Sequence, residues 1–224
     1  MLIFMKNAKK FLGKGDRLSA LHYHAGRVCA ANPHSVVWVE AVVEREGSFN
    51  AETGAPVEKV VPPDLDRVFP RLPDPPAYAI VEAEEFAKIL AVLKAVDACA
   101  PDRKHTDHVM LVWRNDGLRM YARGQNLRVE YVLAGKTENL AADRILYAVF
   151  SAKLLLPIIE YFRQRKAPVW FYATPKIRTP LRMDVDTKFS TPSGAVLAPT
   201  YKIEEGRWKD VIPVAELRKG NENL

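Results

Sequence analysis

After residue 76 the sequence alternates between two periods, and the order in which it does so restricts the fold more than any other feature. In "YAIVEAEEFAKILAVLKAVDACA", Phe86, Ile89, Leu90, Leu93 and Val96 recur at i, i+3, i+4, i+7 and i+10, the spacing of an amphipathic helix. Two alternating stretches follow, "HVMLVWR" and "LRMYARGQNLRVEYVLA", joined through Asn115-Asp116-Gly117, a hairpin signal. "ILYAVF" comes next. A second helix, "SAKLLLPIIEYFRQR", follows with Ser151 as its N-cap, and the unit closes on "VWFYATP", "PLRMDVDT" and "GAVLAPTY". Helix, strands, helix, strands is a doubled pattern. Because no regular crossover helix separates the strands, it predicts an α+β fold with antiparallel sheets and excludes a doubly wound parallel one.

Upstream, prolines concentrate at 62–76 ("PPDLDRVFPRLPDPP"), which reads as an extended connector. The part before it is mainly strand, "SALHYHAG" and "RVCAA" with "SVVWVEAVV", after a short basic helix in the first dozen residues. The expected organisation is a shortened unit over 1–75 including the connector, a complete unit over 76–203, and a polar C-terminal tail over 204–224. Pro157, about six residues into the second helix, removes the hydrogen bond to the Lys153 carbonyl, a change worth ~3 kcal/mol in an unrelieved helix. A kink is expected there.

Composition narrows the function classes. The chain has 224 residues, enough for a sizeable core, and 48% hydrophobic with 27% charged residues is ordinary for a soluble globular protein. No apolar run reaches the length of a membrane span, and the five apolar residues before Lys6 are too few for a signal-peptide core. Cys29 and Cys99 lack metal-site or redox spacing and read as buried, reduced thiols, which points to the cytoplasm. The net charge of +6 favours polyanionic partners. Lys6, Lys9, Lys10, Lys14 and Arg17 crowd the start, and Lys153, Arg163, Arg165 and Lys166 the second helix, whereas 82–97 is net acidic. Arg163 and Lys166 share a helix face, and Lys153 falls off that stripe. A solvated basic surface explains these charges as well as a nucleic-acid surface does.

An enzymatic reading has little to stand on. "GKGD" lacks the spacing and the Ser/Thr of a phosphate-binding loop. His22 and His24 share a strand face, and Asp102, His105, Asp107 and His108 cluster in a loop, so either group has side chains that suit a divalent metal. No HExxH, and no nucleophile with a recognisable base, accompanies them. A polar loop with two histidines is the commoner explanation; no catalytic residue, metal or cofactor is assigned.

One further interruption stands out. "GRVCAANPHSVVWV" breaks a good strand at Asn32-Pro33-His34 and resumes it at once. Ala30-Ala31-Asn32-Pro33-His34-Ser35-Val36 stands where the middle domain of the bacterial-type DNA polymerase sliding clamps carries an Ala-Thr-Asp-Gly-His-Arg-Leu signature. "PPDLDRVFP" matches the family's entry to its last domain in Pro63, Asp64, Arg67, Val68 and Pro70, and "AVLAPTYK" looks like the last strand's Val-Met-Pro-Met-Arg pattern. Over roughly 16–202 the chain resembles this family. The implied fold is the DNA-clamp fold, antiparallel sheets with two helices per full domain.

The resemblance also implies a function: a non-enzymatic DNA polymerase processivity factor. Such a factor binds short linear motifs of a polymerase or other replication and repair proteins, encircles double-stranded DNA without reading sequence, and has no membrane role. By position, a peptide-binding pocket would be lined by Leu18, Ala31, Pro33, His34, Ser35, Val36, Pro63, Arg67, Val68, Val196, Ala198, Pro199 and Thr200. Val36, Val68 and Val196 suit a sheet core equally well. DNA would meet Lys6, Lys9, Lys10, Lys153, Arg163, Arg165 and Lys166. The family's first domain has no counterpart in this sequence, and the middle domain lacks its second helix and neighbouring strands. Those departures favour, as the alternative, a clamp-fold adaptor that forms no ring, such as a phage-derived remnant.

Overall fold

The structure, a computed structural model, describes residues 1–14, 18–41, 45–58, 60, 63–99, 108–123, 127–173, 178–200 and 205–217. The complete unit follows the periodicities. A strand, β5 (Tyr78–Val81), precedes α3 (Glu85–Ala98); then come β6 (His108–Arg114), β7 (Gly117–Arg123), β8 (Arg128–Ala134), β9 (Leu146–Ser151), α4 (Ala152–Arg165), β10 (Val169–Tyr172), β11 (Leu181–Val185) and β12 (Ser193–Leu197). The N-terminal part holds α1 (Leu2–Ala8) with a 3-10 turn at Lys9–Phe11, β1 (Ala20–His24), β2 (Arg27–Asn32), β3 (Ser35–Glu40) and β4 (Gly47–Asn50). A single helical turn, α2 (Leu65–Val68), lies in the connector, and α5 (Glu205–Trp208) follows the last strand.

These strands make two antiparallel sheets, β4-β1-β2-β3-β12-β11-β10-β5 and β8-β7-β6-β9. The order contains a repeat. In both chain order and sheet order, α1-β1-β2-β3-β4 matches α3-β6-β7-β8-β9, so the N-terminal part is the first half of a unit whose second half is absent among the described residues. Its β3 joins β12 directly, with Val36 opposite Val196, and this makes one continuous eight-stranded sheet.

Alternation along each strand sends Val28, Ala30, Val37, Val39, Ala195, Leu197, Met183, Phe171 and Val81 into the main core beneath the helices. There they meet Phe86, Ile89, Leu90, Leu93 and Val96 of α3 and Leu155, Ile158, Ile159 and Phe162 of α4. α1 lies beside α4, with Phe4 and Ala8 in the same core and Asn7 Nδ2 donating to Gln164 Oε1 at 2.8 Å. α4 remains helical through Pro157, and Ser151 occupies its N-cap position without a side-chain cap hydrogen bond.

Several expectations need correction. Tyr78–Val81 is a strand rather than the start of the helix, because Ala79 and Val81 face the core while Tyr78 and Ile80 face out. The connector is not wholly extended: Asp64 caps α2 by accepting from the Asp66 N–H at 3.1 Å. Residues 205–217 are not a polar tail. Trp208, Val211, Ile212 and Leu217 are buried against Met110, Val112, Tyr121, Tyr147 and Val149 on the outer face of the four-stranded sheet. The Tyr147 hydroxyl donates to the Glu216 carbonyl at 2.7 Å, and Asp210 pairs with Arg123 and Arg128. Cys29 is buried, and burial pushes its thiol up to about 12, but Cys99 is exposed at the end of α3.

Candidate functional site

The interruption at Asn32-Pro33-His34 is a hairpin between β2 and β3, with Asn32 paired to Ser35. Asn32 Oδ1 accepts from the His34 N–H at 2.8 Å and the Ser35 N–H at 2.9 Å, so the side chain holds the turn that the proline begins. The turn is also a junction. Ala198, just past β12, donates its N–H to the His34 carbonyl at 2.8 Å, which brings the far end of the chain beside the hairpin.

From this corner an apolar row crosses the outer face of the eight-stranded sheet. Ala31 pairs with Val36, Val36 with Val196, and Val196 with Arg182. The connector lies over the row: Leu65, Val68 and Phe69 pack with Cys29, Ala31, Val36, Trp38 and Leu18. Leu18, Ala31, Val36 and Val68 therefore share one cluster, with Val196 and Ala198 at its edge and Pro33 and His34 exposed at the rim.

Other candidates fall elsewhere. Ser35 has the parity of Val37 and Val39, so it lies on the core side of the sheet, opposite Val36. Arg67 is exposed and paired with Asp64 at 3.1 Å, and Pro63 is half-buried ahead of α2. Pro199 is buried, and the Thr200 N–H donates to the Val149 carbonyl at 2.7 Å, toward β9. Trp38, Leu65 and Phe69 were missed. Trp38 read only as a strand residue, and Leu65 and Phe69 fell in a segment whose helical turn is too short to show a period.

The helices lie on the opposite face of this sheet. Lys6, Lys9, Lys10, Lys153, Arg163 and Lys166 are exposed there or at its margin. Lys10 Nζ sits 2.7 Å from Glu160 and Lys9 Nζ 2.8 Å from Glu52. Lys10, followed by Arg163 and Lys94, holds the Glu160 carboxyl below the usual range, so cations from the 3-10 turn, α4 and α3 converge on one acid. Lys94 was missed because its helix is net acidic. Arg165 does not belong to this surface: it is buried, and its Nη2 donates to Ser190 Oγ and the Thr191 carbonyl, both at 2.7 Å.

The histidines singled out in the sequence are engaged locally. His22 Nδ1 lies 2.9 Å from Ser48 Oγ and His24 Nδ1 3.0 Å from Glu46. Asp102, His105 and Asp107 lie outside the described residues, and His108 opens β6. No cluster of three or more His, Cys, Asp or Glu suited to a metal occurs among the described residues, and no described helix is long and apolar enough to cross a membrane.

Two helix-backed antiparallel sheets, joined strand to strand between a complete unit and a half unit, constitute the DNA sliding-clamp fold. Solved structures with this fold include the β subunit of DNA polymerase III from Thermotoga maritima (TM-score 0.67, 12% identity) and the sliding clamp of Bacillus subtilis (0.68, 11%). A third is the clamp of Bartonella birtlesii bound to griselimycin (0.66, 14%). These matches cover 90–91% of this chain and 63–64% of the solved ones, so the chain spans less than two thirds of a clamp subunit's length. No protein-family model matches the sequence, and no curated protein does either.

Proposed function

We propose that the chain is a sliding-clamp-like scaffold of DNA replication or repair, a non-enzymatic processivity factor that holds partner proteins by short linear motifs while resting on duplex DNA. One observation carries this reading. The apolar row Ala31–Val36–Val196, bordered by α2 and the Asn32–Ser35 hairpin, lies on one face of a continuous sheet, and the cations of α1 and α4 lie on the other. An apolar row with Pro33 and His34 exposed at its rim suits a peptide with a few apolar anchors, at about −8 kcal/mol for micromolar affinity. Cations exposed on the helix side, Lys6, Lys153, Arg163 and Lys166, suit phosphates, with affinity falling steeply as salt rises.

Val68→Asp places a charge at the groove and is expected to abolish binding of such a peptide. Arg163→Glu with Lys166→Glu is expected to weaken duplex binding for every sequence alike. Duplex binding that survives both this change and ~200 mM salt contradicts the phosphate role.

A specific observation favours the ring-less adaptor as the second reading. In this chain the junction between units pairs β3 with β12, and the strand equivalent to β3 in the complete unit is β8. Among the described elements β8 keeps an open edge, but the one β12-type edge is already taken within the chain. A head-to-tail ring needs both edges free.

A further inference from the structure

Beyond the apolar row, the next outward-facing row of the same sheet reads Cys29, Trp38, Gly194, Asp184, Trp170 and Ile80, strand by strand. Gly194 forms the low point of this row. A Cβ there would stand 2.5 Å from Asp184 Oδ1 and 2.8 Å from Trp38 Nε1, so a donor and an acceptor lean over the same backbone position. Above them opens a cavity of about 230 Å³ with Trp38, Phe69, Trp170 and Tyr172 among its walls. Tyr78 stacks on Trp170 at 5.0 Å and 17°, which braces that wall from outside.

Two guanidinium groups line the same cavity. Arg182 pairs with Asp184 Oδ2 at 2.7 Å and lies 4.8 Å from the Phe69 ring and 5.3 Å from that of Tyr172. Arg27 lies 5.2 Å from the Trp38 ring and 5.8 Å from that of Phe69. At this cavity the buried Trp38 Nε1, Trp170 Nε1 and Asp184 Oδ1 each lack a hydrogen-bond partner. Trp38 is only 7% exposed, so its N–H has little access to water in compensation. Burial pushes the Asp184 carboxyl up, against the pull of Arg182.

We propose that this pocket takes a single unpaired nucleobase, from a mononucleotide or from a single strand of nucleic acid. A base offers a flat face to the aromatic and guanidinium walls and an edge with adjacent donor and acceptor atoms. Trp38 Nε1 and Asp184 Oδ1 present the complementary pair. A phenyl side chain would leave both atoms unmatched; a phenol hydroxyl, which donates and accepts through one oxygen, can meet both and is the competitor the test includes. A cationic ligand meets Arg27 and Arg182 at the cavity. A base inside duplex DNA has its edge already paired. The site is separate from the cations of α1 and α4, so it stands or falls independently of duplex binding.

The test uses the full chain labelled with ¹⁵N-tryptophan, whose four indole N–H signals are assigned by single Trp→Phe variants. Adding AMP or a dA hexamer is expected to move the Trp38 and Trp170 signals. That of Trp113, whose Nε1 already donates to the Phe171 carbonyl at 3.2 Å, is expected to stay. Trp38→Phe, which keeps a ring and removes the donor, is expected to weaken binding about tenfold. Phe69→Ala, a change in the connector rather than in a strand, is expected to weaken it as well. A hexamer that binds tighter than AMP identifies a single-strand site, and equal affinities identify a nucleotide site. The proposal is overturned if neither probe at millimolar concentration moves these two signals, or if tyrosine amide moves them as readily as AMP.

Discussion

The half unit and the complete unit use the same elements in the same order, yet they are held together differently. In the complete unit, α3 and α4, each of 14 residues, pack on each other over two sheets, with Phe86 and Phe162 at 6.1 Å between ring centres. In the half unit, α1 has seven residues, and among the described residues its other α-helix is the single turn of α2. With the 3-10 turn after it, α1 borrows α4, through Phe11 against Tyr161, Asn7 against Gln164 and Lys10 against Glu160. The difference teaches that half a unit can persist when a neighbour supplies both the missing helix face and a partner strand for β3.

That dependence can be broken from either side, and the largest effect is expected in the complete unit. Phe162→Ala removes a fully buried ring from the helix pair and should cost about 3–5 kcal/mol of global stability by denaturant titration. Phe4→Ala deletes the same group from α1, but its loss should appear as local opening. Cys29, buried in β2, should become reactive to thiol reagents well before the amides of β6 and β7 lose protection from hydrogen exchange. Cys99, already exposed, serves as the internal reference for labelling. If Phe4→Ala deprotects both units together, the molecule is one cooperative body and the contrast drawn above is wrong.

A second contrast concerns edges. β3 is covered by β12, while its counterpart β8 alternates exposed Arg128, Glu130 and Val132 along an open edge. A monomer, or a dimer paired through β8, is therefore expected at micromolar concentration by light scattering, and Val132→Lys should push any dimer toward monomer. A stable trimer or tetramer would show that ring closure uses a surface other than these edges.

The smallest effect belongs to the bond between the units. Glu160 is held below its usual range by Lys10, so the pair contributes above the unfolded carboxyl's pKa, and the contribution is lost as pH falls through the lower folded value. Because both side chains are partly exposed, Glu160→Gln should flatten the acid limb of the stability profile by no more than about 1 kcal/mol.

The sequence showed most of what is periodic. The apolar stripes of α3 and α4 and the alternation of β6 to β12 mark their elements because burial on one face imposes the period. What escaped was short or depended on distant partners. "GSFN" of β4 is too brief and polar to stand out, and α2 makes one turn inside a proline-rich run. Trp208, Val211 and Ile212 have helical spacing in so polar a context that only the outer face of the four-stranded sheet explains their burial. At the site, position in a motif identified the corner where His34 meets Ala198. It also drew in Ser35, which strand parity sends to the other face, while the charge run along α4 drew in Arg165, whose charge is spent on Ser190 and Thr191. Motif spacing does not carry the side of a sheet.

The central claim is that two opposite faces of one sheet do separate work, and a crossed binding measurement tests it most directly. A labelled duplex and a labelled peptide with apolar anchors are titrated, each alone and both together, into the unmodified chain, Val68→Asp, and Arg163→Glu/Lys166→Glu. Both ligands should bind the unmodified chain at once without competing. Val68→Asp should lose only the peptide, and the double reversal should lose only the duplex, in a salt-dependent manner. Mutual exclusion of peptide and duplex, or loss of both ligands in either variant, would contradict the account.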